Sequence, residues 1–174
     1  MFSKNITTER INLRPYETGD VSFWQKWDTD PEVQRFMPEP INEPVSDEKQ
    51  FDYLRECEEE QGGVYWTIVW RENSKPIGHI AITEINYHHG IGEIGIVVGE
   101  KEYWGKGVAS EAIKGVIEFA LSIGLKRLSA EFEEGNVALE KSLTKNGFRK
   151  EAVLKSSRVK NGKRIDTVRY FILL

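Results

Sequence analysis

Apolar residues recur along this chain with two spacings, and the switches between them predict its elements. Ile11 and Leu13 share one side of an alternating stretch, Glu9 to Tyr16, that ends around Pro15. Period two predicts a strand. Val21, Phe23, Trp24 and Trp27 follow at helical spacing, with Asp20 placed to cap the helix. Asp30-Pro31 opens a further helical turn through Phe36, and Met37-Pro38-Glu39-Pro40 with Pro44 predicts a loop. Ser46 begins a helix to Glu60, with Phe51, Leu54 and Arg55 on one side, and Gln61-Gly62-Gly63 stops it.

Period two then returns. Tyr65, Thr67 and Val69 alternate with Trp66, Ile68 and Trp70, so Val64 to Trp70 reads as a strand. Glu72-Asn73-Ser74-Lys75 is a turn, and Pro76 to Asn86 is the next strand. Tyr87-His88-His89-Gly90 turns again into Ile94-Gly95-Ile96-Val97-Val98, an apolar run short enough for a strand. Three strands in a meander are therefore expected before the longest helix. That helix has apolar residues at Ala112, Ile113, Val116, Ile117 and Ala120, with Glu111, Lys114 and Glu118 between them. Gly124 ends it. Arg127 to Phe132 is a strand, and Asn136 caps a helix that Gly147 closes. Two last strands, Phe148 to Val159 and Arg164 to Leu173, flank Asn161-Gly162, a strong hairpin signal. There is no internal repeat. The order predicts an α+β fold, a mainly antiparallel sheet with helices on its faces.

Composition narrows the function classes. A chain of 174 residues fits one domain, 1–174, with a real core. A net charge of −4 argues against a nucleic-acid surface as the main partner. No apolar run reaches the length of a membrane span, and the first residues lack the apolar stretch of a signal peptide. A cytoplasmic protein is expected. The single cysteine, Cys57, excludes an internal disulfide and a cysteine-based zinc site, and no metal is expected. His88 and His89 are neighbours in a turn and His79 lies in a strand, so all three read as structural or surface residues. The helix from Ser46 carries seven acidic and two basic residues, which fits either a solvated face or a surface that recruits a cation.

The chemistry concentrates between Ile94 and Ala120. A strand runs into Trp104-Gly105-Lys106-Gly107-Val108-Ala109, and a helix follows. A helix start offers unpaired N–H groups and a partial positive charge, and glycines let an anion approach the backbone. The Walker pattern is absent, and the dinucleotide pattern fails where Ser110 replaces its last glycine. An ordinary β-turn-α corner would also use these glycines.

The stretch resembles the acyl-CoA loop of the GNAT N-acetyltransferase superfamily, Gln/Arg-x-x-Gly-x-Gly/Ala. Gly107 and Ala109 fill its last places, and Trp104 stands where Gln or Arg is usual. Tyr103-Trp104-Gly105-Lys106-Gly107 followed by Ala109-Ser110-Glu111-Ala112 is similar to the branch that acetylates ribosomal-protein N-termini. Thr8-Glu9-Arg10-Ile11-Asn12-Leu13-Arg14 resembles the opening of that branch. Asn136, ahead of Lys145-Asn146-Gly147-Phe148, matches the family's second mark.

The resemblance implies a three-layer α/β/α sandwich. Its mixed sheet would hold about seven strands and about four helices and would be splayed at its centre. It implies acetyl-CoA as donor, with the pantetheine arm along Ile96, Val97 and Val98 in the splay. The pyrophosphate would meet the amides of Trp104, Gly105, Lys106, Gly107, Val108, Ala109 and Ser110, and Asn136 would bond the arm. The Val98 N–H is the candidate oxyanion donor. Glu93, eleven residues before Trp104, is the candidate base, or else a residue that orients the acceptor. The family's thiolate-protonating tyrosine falls on Leu143, so no leaving-group acid is assigned. The acceptor implied is a primary amine, either a protein N-terminus or a small molecule. A non-catalytic acyl-CoA sensor of the same fold is the other class. The apolar last strand is compatible with a homodimer.

Overall fold

The computed structural model describes residues 4–37, 45–59 and 62–174. The break expected at Pro38-Glu39-Pro40 and Pro44, and the Glu60 and Gln61 end of the second helix, lie outside them. Among the described residues eight strands form one sheet in the order β1-β2-β3-β4-β5-β6-β8-β7. They are β1 (Ile6–Thr7), β2 (Ile11–Arg14), β3 (Val64–Trp70), β4 (Lys75–Asn86), β5 (Ile91–Val98), β6 (Arg127–Glu133), β7 (Arg149–Lys160) and β8 (Lys163–Leu173). Every neighbouring pair is antiparallel except β5 and β6. The sheet has one strand more than the expected seven. β1 pairs only Ile6 with Leu13 and Thr7 with Asn12, too short a run to show periodicity.

Among the described residues four α-helices cover the sheet: α1 (Val21–Asp28), α2 (Asp47–Glu59), α3 (Val108–Ser122) and α4 (Val137–Lys145). The back face is an apolar core of aliphatic residues with Trp66, Phe119, Phe132 and Phe148 among them. Ile113, Val116 and Ala120 of α3 and Leu143 of α4 pack with Leu13, Ile68, Ile80 and Leu128 of the sheet. Trp66 meets Phe119 edge-on at 4.9 Å. The front face is aromatic. Tyr16, Trp24, Trp27 and Leu54 form a separate cluster under α1 and α2, with Tyr65, Val97 and Cys57 at its margin. Period two explains the division, because odd and even residues of a strand face opposite sides. Ile94, Ile96 and Val98 go to the back core and Val97 to the front.

Two local expectations meet the structure differently. Asn136 caps α4 as expected, its Oδ1 accepting the Leu139 N–H at 3.2 Å. Asp20 precedes α1 but does not cap it. Its buried carboxylate takes two bonds from Arg14, at 2.7 and 2.9 Å, one from Thr67 at 2.6 Å and the Glu17 N–H at 2.9 Å. A bidentate arginine outcompetes the helix amides for this carboxylate.

Candidate active site

The sheet opens at its centre. β5 and β6 pair only at Ile91 with Arg127, Gly92 with Leu128 and Glu93 with Ser129. Beyond Glu93, β5 stays on β4 through Val98, while β6 stays on β8 through Glu133. Antiparallel strands send the backbone groups of alternate residues to alternate sides. The Gly99 N–H donates to Ile77 O at 2.9 Å, toward β4. Gly92 O accepts from Ser129 Oγ at 3.5 Å, toward β6. The alternation therefore turns the backbone of Ile94, Ile96 and Val98 into the gap. Val97 turns its own to β4, and its side chain to the front cluster. Expected on the cofactor groove, Val97 belongs to the opposite wall. Its carbonyl comes so close to β4 that a Cβ at Gly78 would sit 2.2 Å away, which accounts for that glycine.

The loop after β5 is a concave run of free amides. Gly107, with φ 79°, starts α3, and Gly105 has φ 72°; both are left-handed, where glycine is favoured. Two amides in the expected set are already used: Trp104 donates to Lys101 O at 3.0 Å and Lys106 to Tyr103 O at 3.4 Å. The N–H groups of Gly105, Gly107, Val108, Ala109 and Ser110 have no acceptor among the described residues. Such a nest at a helix start suits a phosphate. The indole of Trp104, half exposed, gives its Nε1–H to Val98 O at 2.7 Å, so it closes the end of β5 over the gap.

Anchors hold this loop from both sides. Glu111 accepts from Thr8 Oγ1 at 2.6 Å, Arg10 N at 2.7 Å and Arg10 Nε at 2.8 Å, and Arg10 Nη1 reaches Lys106 O at 2.8 Å. On the front side, buried Glu100 accepts from Lys26, from Lys75 at 2.7 Å and from Trp27 Nε1 at 3.0 Å. Burial alone would raise this carboxyl's pKa, but the three donors outweigh it and hold it at about 2. Trp27 packs on Gly99 so closely that a Cβ there would overlap its ring.

The front wall carries the titratable groups. Glu93 is half-buried, and its pKa is raised by burial first, then by Glu84 and Glu131. Arg169 and Arg158 oppose that rise. Both arginines are bound to Glu131, Arg169 at 2.6 Å and Arg158 at 3.3 Å. Period two puts Glu93 on the same side as Val97. There a cavity of about 70 Å³ lies among Trp24, Trp27, Asp28, Tyr53, His79 and Val97. His79 pairs with Val97 in register, and its Nδ1 lies 2.9 Å from the Tyr16 hydroxyl. Burial lowers its pKa to about 4, so the ring is neutral at pH 7. Burial also holds the Tyr16 phenol well above 10, so it stays protonated.

Sequence reading missed this His79–Tyr16 pair, because its partners are 63 residues apart. Only the β4–β5 register could have placed His79 beside Val97. Trp24 and Trp27 lie on the cavity and Trp66 in the back core. A second missed pair ties β8 to α4: the Tyr170 hydroxyl donates to Glu140 at 2.6 Å, a bond that with burial lifts the phenol to about 12. Among the described residues no group of three or more His, Cys, Asp or Glu is placed to hold a metal ion. No helix there is long and apolar enough to cross a membrane.

Residues 10–149 match the family model described as Acetyltransferase (GNAT) domain. An uncharacterized N-acetyltransferase of Bacillus subtilis, YoaA, is 31% identical over 173 residues, covering 97% of this chain and 96% of its own. The uncharacterized N-acetyltransferase p20 of Bacillus licheniformis is 28% identical over 98% of this chain and 96% of its own. Among solved structures, Mycobacterium smegmatis RimJ in complex with CoA-disulfide superposes with a TM-score of 0.86. It is 17% identical and covers 98% of this chain and 87% of that one. Spermidine N-acetyltransferase from Vibrio cholerae, in complex with CoA and spermine, has a TM-score of 0.84 at 21% identity, covering 95% and 96%. With a family model over most of its length, an opened sheet and a helix-start nest of free amides, this chain belongs to the GNAT acetyltransferase family.

Proposed function

We propose that the protein moves an acetyl group from acetyl-CoA to a primary amine by direct attack within a ternary complex. The pyrophosphate lies on the amides of Gly105, Gly107, Val108, Ala109 and Ser110. The pantetheine arm runs up the gap against the backbone of Ile94 and Ile96 and the N–H of Val98, as an added strand would. Asn136, at the start of α4, faces the arm from the β6 side.

Glu93 takes a proton from the incoming ammonium, directly or through water, since only the neutral amine attacks. An α-amino group, with a pKa near 8, demands less of this base than a lysine near 10.4. The new C–N bond forms as charge gathers on the carbonyl oxygen, and the Val98 N–H stabilises it. The C–S bond then breaks, the thiolate leaves as the anion, and the extra proton on the new amide nitrogen passes to solvent. Leu143 offers it no proton. A metabolite donor of this kind makes the cytoplasm the compartment of this reading.

One observation carries the proposal: the Val98 N–H faces an open gap directly ahead of a run of unbonded amides. The test is free-thiol release from acetyl-CoA across a panel of amines and peptides. Acetyl-CoA that raises the melting temperature but loses no acetyl group to any amine would support a sensor instead.

A further inference from the structure

On the front of the sheet, beyond the gap, lies a cluster of charges that this chemistry leaves unused. Glu131 is on β6, two residues past Ser129, the register partner of Glu93. Its neighbours Ala130 and Phe132 go to the back core, so period two turns Glu131 to the front, the side of Glu93. Its side chain is only 9% exposed. The carboxylate accepts from Arg169 Nη2 at 2.6 Å, from Thr167 Oγ1 at 2.9 Å and from Arg158 Nη2 at 3.3 Å. Burial would raise its pKa, but these partners outweigh burial and keep it charged. One carboxylate on β6 thus ties down an arginine from β8 and another from β7.

Those arginines have a second carboxylate nearby. Charge acts on Glu93 from four strands: Glu84 on β4, Glu131 on β6, Arg169 on β8 and Arg158 on β7. No hydrogen bond or ion pair reaches the Glu93 carboxylate among the described residues. The floor beside it is open. Gly95, two residues further along β5, is exposed, and a Cβ there would meet nothing within 4 Å. Arg169 keeps a buried Nε–H without a partner, so its guanidinium has a donor to spare. Glu151 also acts on Arg169, but Arg127 holds Glu151 at 2.6 Å. A guanidinium on Glu93 would occupy the oxygens that must take the proton and would weaken the base. We propose that Glu131 is a positioning residue for Glu93: by binding Arg169 and Arg158 it keeps both guanidinium charges off the Glu93 carboxylate, which stays open to the incoming ammonium. This rests on the reading of Glu93 as the base.

The test is a pH titration of the full chain by NMR, read at the side-chain carboxyl carbon of Glu93, whose signal is assigned by its loss in Glu93→Gln. In wild type Glu93 should titrate above its ordinary 4.5. In Glu131→Gln it should titrate about one pH unit lower than in wild type, the size of a new arginine partner. Adding Arg169→Met to that variant should restore most of the difference. A wild-type Glu93 that titrates below 4.5 already carries an arginine and overturns the proposal whether or not any variant folds. A titration that Glu131→Gln does not move, or a drop that persists in full in the folded double variant, also overturns it. The acid limb of kcat/KM, measured by thiol release, separates this claim from the one it rests on. A limb that follows the carboxyl signal to lower pH supports both. A signal that moves under an unmoved limb keeps the role of Glu131 toward Glu93 and defeats Glu93 as the base. An acid limb lost in Glu93→Gln, with a signal that Glu131→Gln leaves in place, does the reverse.

Discussion

The two faces of the sheet are built from different materials. The back is apolar and closed: Ile113, Val116, Ala120, Leu128 and Leu143 are fully buried beside Trp66 and Phe148, with no polar side chain needed among them. The front is aromatic and hydrogen-bonded, and it keeps a cavity among Trp24, Trp27, Tyr53 and His79. The back holds α3 rigid, and α3 carries the amide nest at its start. The front leaves a small cavity. The gap between β5 and β6 joins the two, because β5 gives its even backbone groups to the gap and its odd side chains to the front face, where Val97 reaches the cavity. One strand thereby serves both substrates of the proposed reaction.

The division can be broken most severely from behind. Ile113→Ala should cost about 2–5 kcal/mol of unfolding free energy in urea titration, because a fully buried side chain leaves a cavity that cannot collapse. A loss under about 1 kcal/mol would mean that the back face is loosely packed. At the nest, Gly107→Val puts a β-branched residue at φ 79° and crowds the amides. CoA affinity by calorimetry should fall about 100-fold while circular dichroism stays native; unchanged affinity would move the phosphate site elsewhere.

On the front, Glu93→Gln should lower kcat about 100-fold, at the lower end for a lost general base. The pH profile gives the role. In the proposed mechanism Glu93 acts as the carboxylate, so wild-type activity should fall as pH drops through its raised pKa. That acid limb should vanish in the variant. A limb that persists would make Glu93 an orienting group. Glu100→Gln sharpens the join between the faces with a smaller effect. The Glu100 carboxyl is held at about 2, below its ordinary 4.5. Its ion pairs therefore stabilise the fold above pH 4.5, and that contribution is lost as pH falls toward 2. The variant should melt about 2–4 °C below wild type at pH 7, and the difference should close near pH 2.

Much of this was legible in the sequence. Period two found β2, β3 and β6, a short apolar run gave β5, helical spacing found α1 to α3, the caps Asn136 and Gly147 bounded α4, and Asn161-Gly162 gave the last hairpin. The loop's glycines and Asn136 pointed to the cofactor side because their signals are local. The front wall was not legible in the same way. His79 owes its place to strand register and to Tyr16, and Asp20 owes its role to Arg14 and Thr67 from two strands. Which loop amides are free also depended on a short turn at Lys101–Tyr103 that consumes two of them. Long-range pairing decides these details, and single-sequence patterns do not carry it.

Amide hydrogen exchange with and without acetyl-CoA tests the central claim most directly. The account predicts slower exchange at Ile96, Val98, Gly105, Gly107, Val108, Ala109 and Ser110, and no change at Val97, Trp104 and Lys106, whose amides are already bonded. Protection confined to the α1 and α2 side, or none along β5 and the loop, would contradict it.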